Sequence, residues 1–233
     1  MPALCVLWIR RFVHEPPAWK NAAAGQGVPR VSELFAPGVR HVTLLVGAFV
    51  SLALVAAWVF IFFTPQVVRR LAQADGAEPA RVQEIVTWVS LSYFTVNLIA
   101  NFTATYLAKW LGERGAFALL SAGALASALW GYHAPQNVIH VAIAAWCIAY
   151  TGLGMFAIFP LYIPPLFPTL LRTLGSGFTY NVGRLVTAVG TVFAGQIAAD
   201  IGGPAAAVWW VGWLYVPCLV LALVLPKSKA SEW

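Results

Sequence analysis

The sequence has very little charge. Of its 233 residues only 9% are charged, while 61% are hydrophobic and 14% aromatic. A soluble domain carries roughly 25% charged residues, so this chain has too few to cover a water-facing surface. A disordered chain would need far more polar residues of every kind. Cysteine is sparse as well. Cys5, Cys147 and Cys218 each sit in an apolar stretch without CxxC or Cys/His spacing, which excludes a disulfide framework and a cysteine-based metal site. His133 and His140 bracket a turn with Gln136 and Asn137, and seven residues across a turn is no metal signature. No carboxylate, histidine pair, Ser/His set or Cys/His set falls within the long apolar runs, so acid–base and nucleophilic chemistry have no candidates and no cofactor is expected. The net charge of +6 comes from basic residues spread thinly between those runs. They form no patch for nucleic acid and read as membrane-orientation signals. The remaining class is an all-α integral membrane protein whose first partner is the lipid bilayer.

A spanning helix needs about 20 apolar residues. Six stretches are expected to cross, at 42–64, 86–108, 116–132, 138–163, 174–199 and 204–225, and the fifth carries Arg184. They are too long and too uniformly apolar to alternate as strands. Residues 1–41 are different in kind. Pro2 to Ile9 is a short apolar piece followed by Arg10 and Arg11, the reverse of a signal peptide's order. It reads as the exit end of a preceding helix, and the stretch to residue 41 as a polar interhelical linker, so the chain is expected to be a fragment. Residues 226–233 form a tail.

Lysines and arginines set the orientation. With the linker inside, the inner side holds Arg10, Arg11, Lys20, Arg30, Arg40, Lys109, Arg114, Arg172, Lys227 and Lys229, and the outer side holds Arg69, Arg70 and Arg81. Both termini are therefore expected in the cytoplasm and the protein in the plasma membrane, crossing it several times. Long links at 65–85 and 164–173 alternate with short ones at 109–115 and 200–203. Such a rhythm fits a 3+3 inverted repeat.

Arg184 is the sharpest polar feature. It lies about 15 Å into its span at ~1.5 Å per residue, and a charge at that depth nearly always faces a cavity or a partner. Three placements fit: against a solute, against a carboxylate outside these spans, or snorkelling. Ser90, Asn97, Asn101 and Thr105 share one face of the second span and can bind a polar solute or glue helices together. Trp146 and Tyr150 in the fourth span can line a pore or pack. Gly183, Thr187, Gly190, Thr191, Ala194 and Ala198 make a small-residue stripe suited to close helix packing.

The stretch Pro164-Pro165-Leu166-Phe167-Pro168-Thr169-Leu170-Leu171-Arg172 through Gly175, Gly177, Tyr180, Gly183 and Arg184 resembles the link between the tenth and eleventh helices of major facilitator superfamily transporters. It is similar to the sugar-porter-like and organic-anion-porter-like branches. Lys109-Trp110-Leu111-Gly112-Glu113-Arg114-Gly115 resembles that superfamily's D-R-x-G-R-R turn. The resemblance implies the C-terminal six-helix half of a twelve-helix carrier, partnered by an N-terminal six-helix half. It implies transport of a small polar solute, a sugar or an organic anion, by alternating access. Arg184, Asn97, Asn101, Tyr150 and Tyr180 are the candidate solute contacts. Glu113, Arg114 and Arg172 are the candidate cytoplasmic latch. Two departures weaken that latch: Pro165 stands where the family has an acidic residue, and Ala116 and Phe117 replace the turn's last basic residues. The competing classes are a membrane-embedded enzyme and a non-transporting membrane scaffold.

Overall fold

The computed structural model describes residues 11–12 and 29–227. The apolar piece before Arg10, the linker from 13 to 28 and the tail from 228 lie outside the described residues. What is described is helical throughout. By length and composition four helices can cross a membrane: α1 (Arg40–Ala74), α2 (Pro79–Tyr132), α3 (Val138–Tyr162) and α5 (Pro204–Val224). Between the last two lies α4 (Arg172–Ile197), 26 residues long and less apolar, because it carries Arg172, Asn181, Arg184 and several glycines.

α1 runs straight through Pro65, where the sequence reading ends the first span. Proline removes one backbone donor and crowds one carbonyl, yet the helix continues, and the polar side chains on either side of it are bonded. Thr64 Oγ1 and Tyr132 Oη share a buried 2.8 Å hydrogen bond, and Gln66 Nε2 donates to the Phe62 carbonyl at 3.1 Å. The link to α2 is therefore 75–78, not 65–85, so the first of the expected long links is short.

α2 has 54 residues, about 80 Å at ~1.5 Å per residue, which no ~30 Å hydrocarbon core can hold as one crossing. It is broken at Gly112, with φ 72° and ψ 160°. Side-chain contacts with α3 show the chain reversing there. Trp146 meets Ser92, and a Cβ on Gly154 would sit 2.9 Å from Ala100, so 79–111 runs parallel to α3. Gly131 faces Ala144 and Gly123 faces Thr151, so 113–132 runs antiparallel to it.

The small-residue stripe packs as expected. Gly183, Thr187 and Ala194 of α4 are buried, and a Cβ on Gly183 would lie 3.0 Å from Val50 and Leu54 of α1. Without a hydrophobic drive between helices in lipid, such close approach supplies the dispersion contact. Aromatic edges fill the seam beside it, with Phe117 at 5.0 Å from Phe49 and 5.3 Å from Tyr162.

The reversals bring two ends into register. One end gathers the start of α1, the Gly112 break, the α3–α4 link and the end of α5; here lie Arg30, Arg40, Lys109, Arg114, Arg172 and Lys227. The opposite end gathers Asp75–Glu78, the α2–α3 turn and the α4–α5 turn; here lie Arg69, Arg70 and Arg81.

Candidate functional site

Arg184, Tyr150, Asn101 and Asn97 sit on three helices that share the Gly112 end. Arg184 is twelve residues from the start of α4, about 18 Å deep. Tyr150 is twelve residues from the end of α3, and Asn101 and Asn97 are eleven and fifteen residues before Gly112, or about 16–22 Å. All four therefore lie at a similar distance from the Gly112 end. The structure does not join them by a bond. Arg184 and Tyr150 are exposed on the surface of this chain, and the two asparagines are half-buried. The Arg184 side chain makes no hydrogen bond, ion pair or ring contact with another described residue. Asn97 Oδ1 is buried without a partner. Tyr180, one turn before Arg184, lines a cleft of about 320 Å³ with Ser176, Phe156, Phe159 and Pro160, nearer the Gly112 end.

The expected latch residues share that end but not one network. The Arg114 Nε–H donates to the Leu225 carbonyl at the end of α5. The last carbonyls of a helix have no intrahelical donor and carry negative partial charge, so a guanidinium fits there. Glu113 lines a second cleft of about 330 Å³ with Lys109, Thr105, Ile158, Leu161 and Tyr162. Arg172 is exposed.

The sequence reading missed two kinds of contact. Trp146 Nε1 donates to Ser92 Oγ at 2.7 Å, tying α3 to the first half of α2. His140 has its ring 4.4 Å from Trp130 and accepts the Gln136 N–H through Nδ1 at 3.3 Å. Pairings across helices leave no mark in one segment's periodicity. The irregular middle of α3 did leave one: Gly152, Gly154 and Pro160 stand close together in an otherwise helical run.

No family model matches the chain. It is 29% identical over 205 residues to a probable 4-methylmuconolactone transporter of Cupriavidus pinatubonensis, covering 87% of this chain and 46% of that protein. It is 26% identical over 144 residues to a cis,cis-muconate transport protein of Acinetobacter baylyi, covering 60% of this chain and 33% of that protein. The chain thus spans less than half the length of either relative. Both relatives are named for transport and neither as an enzyme. Their similarity, together with helices long and apolar enough to cross a bilayer, makes this a multi-pass membrane protein akin to solute transporters.

Proposed function

We propose that the chain is the C-terminal half of a secondary carrier that moves an organic anion of the muconate type by alternating access. One observation carries the reading: Arg184, a guanidinium without a partner among the described residues, stands level with Tyr150, Asn97 and Asn101. A planar five-donor fork suits a carboxylate, and an arginine at that depth in a membrane needs a partner. The two transporter relatives are named for muconolactone and muconate, which supports an anion over a sugar. Tyr180 extends the site toward the Gly112 end.

In this reading residues 42–225 make six crossings, with α2 counted twice across Gly112 and α4 counted despite its polar residues. A 3+3 inverted repeat in this reading relates α1 to α3, which crosses in the opposite direction. The basic Gly112 end faces the cytoplasm, with residues 1–41 and 226–233 on that side of the plasma membrane. Glu113, Arg114 and Arg172 latch this face when it is closed. A second, N-terminal six-helix half completes the solute site, since carriers of this design bind at the midplane between repeats.

The test is uptake. Vesicles carrying this chain joined to an N-terminal half should accumulate labelled cis,cis-muconate with saturation, and competition by other small carboxylates but not by sugars. This chain alone should not. Saturable uptake of a sugar, or uptake unaffected by Arg184→Ala, would overturn the anion reading.

A further inference from the structure

We infer that Trp146 is a specificity-determining contact of the solute site: an indole face, held in place by Ser92, against which the carrier packs the flat, conjugated carbon skeleton of its anion. The inference rests on the carrier reading above and adds which carbon skeleton must accompany the carboxylate. On α3, Ile139, Ile143, Trp146 and Tyr150 recur at helical spacing and are exposed, while Val141, Ala144, Ala145 and Ile148 on the other face are buried. Along that exposed stripe the side chains change from isoleucine to Trp146 and Tyr150 as it approaches the level of Arg184.

Register places Trp146 beside the other candidate contacts. Ser92 meets Trp146 and Ala100 meets Gly154, each pair 54 residues apart along the chain, so α2 and α3 keep step over this stretch. Asn97 then lies level with Tyr150 and Thr151. Its Oδ1, buried and without a partner, marks that level as polar. Trp146 stands one helical turn, ~6 Å, beyond Tyr150.

The indole is fixed before a solute arrives. Its Nε1–H donates to Ser92 Oγ at 2.7 Å, and the Ser92 O–H donates onward to the Val89 carbonyl at 2.7 Å. This relay satisfies the single polar group of the ring, yet 40% of Trp146 stays exposed. A tryptophan turns about only two side-chain bonds, so an indole already pinned has little freedom to lose on binding. Its face attracts flat conjugated carbon by offset stacking, with dispersion contacts spread over the whole skeleton. A saturated chain is puckered and meets the same face with fewer atoms. Arg184 thus reads the carboxylate, and Trp146 reads the carbon beside it. Ser92 acts as a positioning residue for the ring.

Vesicles carrying this chain joined to an N-terminal half test it with two labelled dicarboxylates of equal carbon number, cis,cis-muconate and adipate. Both offer Arg184 the same carboxylates, and only muconate has a flat conjugated skeleton. Trp146→Leu should raise KM for muconate about fivefold, while KM for adipate and both maximal rates stay in place. Trp146→Phe should keep most of the preference for muconate. Ser92→Ala should weaken that preference, and Ser92→Thr, which keeps the hydroxyl, should preserve it. Beside Trp146→Phe, which has no N–H to anchor, Ser92→Ala should change nothing further. Equal changes in the two KM values of Trp146→Leu, or none, would overturn the contact. If that variant fails to reach the membrane, an unchanged preference in Ser92→Ala overturns it instead. Muconate uptake that needs Arg184 but ignores Trp146 would remove the platform and leave the carrier standing. No saturable uptake of either acid by the unaltered protein would remove both.

Discussion

Arg184 and Gly131 show two ways in which a single residue decides this protein. Arg184 is costly in lipid, about 2.5–3.5 kcal/mol on insertion scales, and finds no acid among its neighbours. Arg184→Lys keeps the charge but loses the fork. In a carrier of the kind proposed, it should cut muconate uptake about tenfold or more, a loss of ~1.4 kcal/mol in binding, while membrane insertion stays normal. Gly131 is a packing residue, where a Cβ would lie 2.1 Å from the Ala144 Cβ. Gly131→Ala should lower the stability measured by thermal unfolding in detergent by about 1–3 kcal/mol, as overpacking does. Adding Ala144→Gly should recover most of that loss. No recovery would mean that the clash is relieved elsewhere.

Among the elements, α2 depends most on one backbone setting. Gly112 at φ 72° and ψ 160° lies where a residue with a Cβ is strained whatever the space around it, and nothing lies within 4 Å of its Cβ position. The region is essentially reserved for glycine, and occupying it costs other residues of order 1–3 kcal/mol. Gly112→Ala and Gly112→Asn should therefore destabilise by similar amounts, because asparagine's tolerance covers the left-handed helical region and not this one. Equal unfolding temperatures for the wild type and Gly112→Ala would show that the turn can form another way. Proline placement is less decisive. Pro65 leaves α1 intact, whereas Pro164, Pro165 and Pro168 fall in the non-α-helical link between α3 and α4. The difference lies in what packs around each one.

The whole molecule is organised by its two ends. Contacts in register place Arg30, Arg40, Lys109, Arg114, Arg172 and Lys227 together, opposite Arg69, Arg70 and Arg81. If this end faces the cytoplasm, reporters fused at Gly112 and after Lys227 should read inside and one at Gly76 outside. An external signal after Lys227 would invert or break the topology. Arg114 also ties the Gly112 break to the end of α5, and removing it should loosen that end. Arg114→Ala should increase hydrogen exchange at 221–226 while leaving the buried seam of α1 and α4 protected. Uniform exchange across both regions would assign Arg114 no special place.

Composition alone determined the solvent, because so few charges cannot cover a water-facing surface. Run length determined the helical class, and the lysine and arginine bias marked which segment ends share a side. The depth of Arg184 was legible for the same reason, since depth along a helix is a count of residues. The stripe from Gly183 to Ala198 was legible because helical packing repeats every three to four residues. Tertiary structure decided what repeats nowhere in the sequence. The hydroxyl of Thr64, beside Pro65, is met by Tyr132, sixty-eight residues away along the chain. The partner of Arg114 depends on where α5 ends, and the room for Tyr215 depends on the missing Cβ of Gly152. A linear pattern records what each helix offers a neighbour. Which neighbour accepts it is settled only when the helices pack.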